Sequence, residues 1–278
     1  MNNLEFTLFL WGGSFVAGLL GALTGLGGGV VIIPLLTLGL GVDIRYAIGA
    51  SLISVIGTSS GAAAAYVREG FSNIRIAMFL EVATTVGAVV GAVLATVLST
   101  SIIAVLFGLM LLFSAVFSTK GHHDVAGAQE SHPLAVRLRL EGSYPTPGGW
   151  QHYKVGSVPA GFSLMALAGT ISGLLGIGSG ALKVLAMDHA MRIPFKVSTT
   201  TSNFMIGVTA AASAGIYLNR GYIDPALSMP VMLGVLVGSL TGARVLVATK
   251  TQVLRWVFAV VIFALGVEMI INGVTGRL

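Results

Sequence analysis

The chain has 278 residues, 55% of them hydrophobic and only 9% charged, whereas a soluble domain carries about 25% charged residues. That balance excludes an ordinary water-soluble globular protein, and the absence of cysteine excludes disulfides, thiolate metal sites and cysteine chemistry. The formal net charge of +5 rests on basic residues in short loops between apolar runs, so it reads as membrane orientation and not as nucleic-acid affinity.

The N-terminus, Met1-Asn2-Asn3-Leu4-Glu5, lacks the basic region and small-residue cleavage site of a signal peptide, so the first apolar run is expected to stay as a span. Long apolar segments are predicted at 6–24, 47–66, 75–97 and 101–118, then at 157–175, 197–218, 225–247 and 252–272. A shorter apolar piece follows a glycine cluster in each half, at 30–41 and 181–191. Such a piece covers only ~17 Å as a helix, well short of the ~30 Å bilayer core. No charge occurs from Phe6 to Val42, and one straight helix of that length would overshoot the membrane. The glycines must break it.

Residues 119–156 form the soluble-looking stretch and divide the chain into a first repeat (1–118), a connecting loop (119–156) and a second repeat (157–278). The alternation Val136-Arg137-Leu138-Arg139-Leu140-Glu141 predicts a strand, paired across a Pro/Gly turn with Trp150-Gln151-His152-Tyr153-Lys154-Val155. His122, His123, His132 and His152 lie here at spacings that match no metal-ligand pattern, so no metal is assigned.

Leu23-Thr24-Gly25-Leu26-Gly27-Gly28-Gly29 recurs as Leu174-Leu175-Gly176-Ile177-Gly178-Ser179-Gly180. One constant shift of 151 positions then pairs Ser51 with Ser202, Thr58 with Thr209, Tyr66 with Tyr217 and Gly87 with Gly238. An internal duplication with a glycine-broken segment in each copy points to a membrane transporter. If each short piece reverses the chain, one side holds only Arg45, Arg220 and Arg277. The other side holds Arg68, Arg75, Lys120, Arg137, Arg139, Lys154, Arg192, Lys196, Arg244, Lys250 and Arg255. The positive-inside rule prefers this division, which makes the halves inverted and places both termini outside and the loop in the cytoplasm. The expected fold is an all-α polytopic membrane protein of two inverted repeats, each with about four long spans and one short glycine-broken helix.

Consecutive glycines spoil a helix, and a break inside the bilayer is tolerated only where it lines a cavity or is buried in protein. The short helices would begin near Val30 and Ala181 with their N-termini in the membrane, where the unpaired donors and partial positive charge suit an anion. The candidate substrate-binding residues are therefore Thr24, Gly25, Gly27, Gly28 and Gly29 with Gly176, Gly178, Ser179 and Gly180. The hydroxyl and amide donors Thr201, Ser202 and Asn203 join them, although interhelical bonding, with N-capping by Ser198, would explain the same polar run. Gly87, Gly91, Gly238 and Gly242 instead carry the small-xxx-small spacing of packed helices.

Lys183 stands one turn after the second cluster, where an ammonium could draw an anion or pair with Glu81 or Asp188. Glu81 is a coupling candidate, and Glu268 also falls within an apolar segment. Asp188 and His189 sit toward the cytoplasmic end of the short helix, which fits a loop-side role. Gly57-Thr58-Ser59-Ser60-Gly61 fits G-x-S-x-G without a strand–helix elbow, and Gly176 to Ala181 fits a loosened dinucleotide fingerprint without a preceding strand. Neither match indicates an enzyme or a cofactor.

The chain resembles the sulfite exporter TauE/SafE family, also called the 4-toluene sulfonate uptake permease family. The likeness is carried by Gly21-Ala22-Leu23-Thr24-Gly25-Leu26-Gly27-Gly28-Gly29-Val30-Val31-Ile32-Ile33-Pro34 and by Gly173-Leu174-Leu175-Gly176-Ile177-Gly178-Ser179-Gly180, with Ser202-Asn203, Tyr66…Gly70 and Tyr217…Gly221. It covers the chain outside 119–156. Ser179 and Lys183 depart from the family's usual second motif, which has a glycine and an aliphatic residue at those places. The resemblance implies a bacterial inner-membrane carrier, an exporter of sulfite, organosulfonates or related small organic anions. The partners it implies are a small anionic substrate and membrane lipids, with no nucleic acid, and it is compatible with a homo-oligomer.

Overall fold

The computed structural model describes residues 3–24, 28–68, 72–119, 130–146, 148–248 and 251–276, with side chains at 5–20, 28–59, 72–116, 130–146, 148–241 and 259–276. The first half runs α1 (Asn3–Thr24), α2 (Gly29–Pro34) widening into a π-turn at Leu35–Gly39, α3 (Ile44–Arg68), α4 (Ile74–Val97) and α5 (Thr100–Thr119). A short helix α6 (Pro133–Arg137) and a hairpin of β1 (Gly142–Thr146) and β2 (Gly149–Tyr153) follow. The second half runs α7 (Val158–Leu175), α8 (Gly180–Leu185) with a π-turn at Ala186–Ala190, α9 (Phe195–Asn219), α10 (Pro225–Ala248) and α11 (Thr251–Thr275). From α2 to α4, every helix boundary recurs in α8 to α10 at the shift of 151. Helices α3 and α9 begin before their apolar runs, at Ile44 and Phe195, because a helix tolerates Arg45 or Lys196 in its first turn while a hydropathy pattern does not.

Pro34 ends α2 where the helix widens, as a residue without an N–H and with a ring against the preceding turn would require. The second copy widens at the same place after Leu185, so proline alone does not cause it.

Helix α1 packs on α10, α4 on α7, α3 on α9 and α5 on α11. The α4–α7 contact is backbone against backbone. A Cβ at Gly87 would collide with the Ala166 carbonyl, one at Gly91 with Thr170, and ones at Gly169 and Gly173 with Thr84 and Ala88. The α1–α10 contact repeats this through Gly18 against Val235 and Gly238 against Phe15. Small residues permit such approach in membranes, where Cα packing replaces the missing hydrophobic drive. Gly242 lies in α10, but its side-chain environment falls outside the described residues.

Contacts sort the segments into two ends. Phe6, Thr7, Val42, Tyr46, Asp224, Ala226 and Leu227 line one cavity. The Arg45 guanidinium donates to the Leu98 carbonyl at 2.7 Å and lies 5.8 Å from the Tyr222 ring centroid. At the opposite end, Gly156 N–H donates to the Met191 carbonyl at 2.7 Å, and Asn73 bonds to Thr201, Leu140 and Tyr153. The start of α1 thus shares an end with the exit of the first π-turn. The start of α7 shares the other end with the exit of the second.

The connecting segment corrects one expectation. Residues 136–141 are not a strand; His132 caps α6 by accepting from the Leu134 N–H, Pro133 fills the first turn, and Arg139 turns at φ +53. Proline is preorganised for that first helical position, so the helical turn overrides the short alternation. The partner of Gly149–Tyr153 is Gly142–Thr146, in antiparallel register from Gly142 opposite Tyr153 to Thr146 opposite Gly149. Ala135, Leu140, Tyr153 and Val155 are buried with Ile76, Met187, Met191 and Val197, which seats the segment on the helices.

Polarity is distributed as in a protein solvated by lipid. Met78, Val82, Val86, Val93 and Val97 of α4 face outward, while Ser51, Ser54, Ser202, Thr209 and Ser213 are buried on α3 and α9. Among the described residues, Ile74–Val97 and Val158–Leu175 are long and apolar enough to cross a membrane.

Candidate functional site

The two glycine breaks meet between α3 and α9. A Cβ on Gly29 would stand 2.5 Å from Ser51 Oγ and 3.3 Å from the Gly176 carbonyl oxygen. Ser51 Oγ itself donates to that carbonyl at 2.8 Å, so a hydroxyl of the first half ties down the break of the second. In the second break, Gly176, Gly178 and Ser179 all adopt positive φ, at +68, +69 and +42. Glycine reaches this region freely, whereas Ser179 needs compensation, and its Oγ donates to the Ala168 carbonyl at 2.7 Å. Ser202 Oγ donates to the Gly180 carbonyl at 3.2 Å. Ile206 stands against Gly178 and Gly180, and Val55 stands against Gly29 and Gly178.

Ser51 and Val55 correspond to Ser202 and Ile206 under the repeat shift. Each pair lies about 10–17 Å along its helix, and α3 and α9 each have 25 residues. Both breaks therefore lie against the interior of these helices and not at their ends. Gly28 and Gly29 and the run Gly176 to Gly180 are buried. The Gly28 carbonyl accepts from the Val31 and Ile32 N–H groups, each at 3.1 Å, which starts α2. Gly25 and Gly27, together with the side chain of Thr24, lie outside the described residues.

The polar run on α9 divides by direction. Thr201 accepts from the Asn73 backbone N–H at 3.1 Å, at the end of the molecule that carries the hairpin, whereas Ser202 turns to the break. Asn203 is half-buried. Ser198 does not cap α9, whose cap residue is Pro194; its hydroxyl donates to the Ile193 carbonyl at 3.2 Å. Asn73 is a joint that the sequence did not single out. Its Oδ1 caps α4 through Ile76, and its Nδ2 donates to the Leu140 carbonyl and the Tyr153 hydroxyl at 3.0 and 2.7 Å.

Lys183 is fully buried, and its ammonium donates to Thr209 Oγ1 at 2.5 Å. Thr209 in turn donates to Glu81 Oε1 at 2.7 Å, with Thr85 donating to the same oxygen at 3.2 Å. Glu81 therefore joins Lys183 through one hydroxyl, and a helix of the first half is linked to two of the second. Thr209 shares the α9 face of Ser202, two turns on, and that spacing is the sequence signal that could have found it. Asp188 is buried beside His189, at 3.6 Å. Glu268 is exposed on α11. The Tyr217 hydroxyl donates to the carbonyls of Gly173 and Leu174 at 3.2 and 3.3 Å, fixing the end of α7 just before the break. Gly57 to Gly61 lie inside α3, with no strand–helix elbow there.

The family profile described as Sulfite exporter TauE/SafE matches residues 10–269. The chain is similar to the Probable membrane transporter protein YunE of Bacillus subtilis, at 25% identity over 93% of this chain and 95% of that protein. It is also similar to YjnA of Bacillus subtilis, a probable membrane transporter protein, at 27% identity over 93% and 97% of the two chains. A probable membrane transporter protein of Methanocaldococcus jannaschii shares 24% identity over 92% of each. No solved structure matches the chain.

Proposed function

This chain belongs to the sulfite exporter TauE/SafE family and is a membrane transporter, and on that premise we propose that it carries a small sulfur-containing oxyanion, such as sulfite or an organosulfonate, out of the cell by alternating access. The observation that carries the reading is the meeting of two glycine breaks between α3 and α9, held together by Ser51 on the Gly176 carbonyl. Glycine there lets backbone approach a ligand closely, and helix N-termini beside it offer N–H donors to negative charge. Gly28, Gly29, Gly176, Gly178, Ser179, Gly180, Ser202 and Asn203 are the residues assigned to the anion, with Thr24, Gly25 and Gly27 completing the first break. The sulfur chemistry rests on the family.

The proposal includes inverted repeats in a bacterial inner membrane, crossed many times. The sorting of segments into two ends supports it, because the end bearing Arg45 is distinct from the end bearing Lys154, Arg192 and Lys196. Basic residues gather on the second end, which the positive-inside rule places in the cytoplasm.

The test is a thermal-shift and binding screen of the purified protein with sulfite, sulfate, sulfoacetate, taurine, acetate and toluenesulfonate, followed by flux of the binder into proteoliposomes. Stabilisation by a sulfur oxyanion with matching flux is expected. Binding of acetate alone replaces the substrate, binding of no anion removes the carrier reading, and flux that continues without any saturation makes the pathway a channel.

A further inference from the structure

The charges of Glu81 and Lys183 are specialisations of one half-site only. Under the repeat shift Glu81 corresponds to Met232, Lys183 to Ile32 and Thr209 to Thr58. The first break thus has the threonine with apolar neighbours, and Met232 lies against α3 at Gly57. In the second break both apolar positions have become charged, with opposite signs, on different halves of the chain, and the two meet on the same hydroxyl. A random surface charge has no reason to acquire such a partner. A buried pair also costs desolvation that a hydrophobic pair would avoid, so stability is a poor reason to have it.

Three further features give the pair a task. Glu81 Oε2 is buried without a hydrogen-bond partner among the described residues. The Lys183 ammonium has two N–H donors beyond the one given to Thr209. Side chains lean toward the N-terminus of their helix, so the ammonium of Lys183, three residues into α8, returns to the level of the break. The surroundings carry little other charge. Helix α7 has none, Lys196 of α9 and Arg75 of α4 are exposed near the hairpin end, and Asp188 of the second π-turn is beside His189.

We propose that Glu81, Thr209 and Lys183 form a proton-linked anion site, which deepens the carrier reading and rests on it. With Glu81 ionised, the carboxylate and the ammonium cancel through Thr209, and an anion gains little. One proton from water on the open side adds to the Glu81 carboxylate and forms the neutral acid. The site then has the uncompensated charge of Lys183, whose free N–H donors take the anion. Loaded with proton plus monoanion, or empty with neither, the site is neutral, so both forms cross the membrane interior without a net charge. Proton and anion move together, so export follows the anion's own outward gradient and carries one proton out with it.

Calorimetry of sulfite binding to the purified protein, in two buffers of different ionisation enthalpy, counts the protons taken up. The wild type is expected to take up about one proton more per anion than Glu81→Gln. Lys183→Met is expected to weaken binding by about tenfold or more, the loss of a charge-assisted bond. The double variant Glu81→Met with Lys183→Ile copies the apolar residues of the other half, so it folds without a stranded charge. It is expected to bind sulfite about tenfold more weakly, with no linked proton. Equal proton counts in wild type and Glu81→Gln, or a double variant binding like wild type, overturn the triad while leaving the carrier intact. Failure of wild type to bind sulfite overturns the substrate instead. The triad is then decided by the difference between wild type and Glu81→Gln in the protonated-carboxyl C=O stretch on acidification of the anion-free protein: a component lost in the variant is expected, and identical bands in the two proteins refute the assignment.

Discussion

Ser51 on α3 donates its hydroxyl to the carbonyl of Gly176 at 2.8 Å, and Gly29 is close enough that an added Cβ would stand 2.5 Å from the Ser51 Oγ and 3.3 Å from the Gly176 carbonyl oxygen. One hydrogen bond therefore holds the break of one half against the helix start of the other. Its equivalent, Ser202, bonds instead within its own half, to Gly180. The duplication is symmetric in its helices and asymmetric at its centre.

Removing that bond should loosen the junction. Ser51→Ala leaves a buried carbonyl without its donor, at a cost of about 1–2 kcal/mol. A lowered melting temperature in detergent together with reduced flux is the expected result. Gly29→Ala should lose flux as well, because the methyl displaces the Ser51 hydroxyl.

Gly178 combines a φ of +69 with Ile206 at 2.8 Å from an added Cβ. Gly178→Val, β-branched in the left-handed region, should lose about 2 kcal/mol or more of stability and abolish transport. Ile206→Ala in the same chain makes room but leaves the backbone strain. Full recovery of flux in that double variant would show that the contact alone, and not the backbone conformation, fixed glycine there.

Gly87→Val addresses assembly. Its side chain would enter the Ala166 carbonyl, separating α4 from α7, for a loss of about 2 kcal/mol or more. The expected signature is low yield of monodisperse protein, with any correctly folded fraction still binding anion.

Topology is checked by reporter fusions. Residue 130 should report from the cytoplasm and residue 220 from the outside, and a common side for both would refute the inverted arrangement.

The Asn73–Tyr153 contact predicts a pH effect at the hairpin. Burial pushes the Tyr153 phenol above its ordinary 10.0, partly offset by the hydrogen bond from Asn73. The unfolded phenol ionises first, so the contribution to stability is complete below pH 10.0 and declines above it. Protease nicking of the connecting segment should accordingly accelerate above that pH in wild type and much less in Tyr153→Phe. Asn73→Ala removes the α4 cap as well and should destabilise by about 1 kcal/mol or more at any pH.

Hydropathy and glycine act locally, so the order of residues along the chain was enough to set the helices, their repetition at a constant shift and the positions of the breaks. It also separated packing glycines from breaking ones: Gly87 and Gly91, spaced by one turn, lie in a helix contact, while the run from Gly176 to Gly180 leaves helical geometry. It misread Val136 to Glu141, where a proline-started helical turn competes with a short alternation at a scale too small for periodicity to decide. Helix packing settles which half's hydroxyl serves which break, turns Thr201 away to Asn73 and Ser202 inward, and lets Lys183 reach Glu81 across Thr209. Such pairings join residues far apart in the chain. They depend on how one helix is rotated against another, and close glycine contacts set that rotation only once both halves are packed.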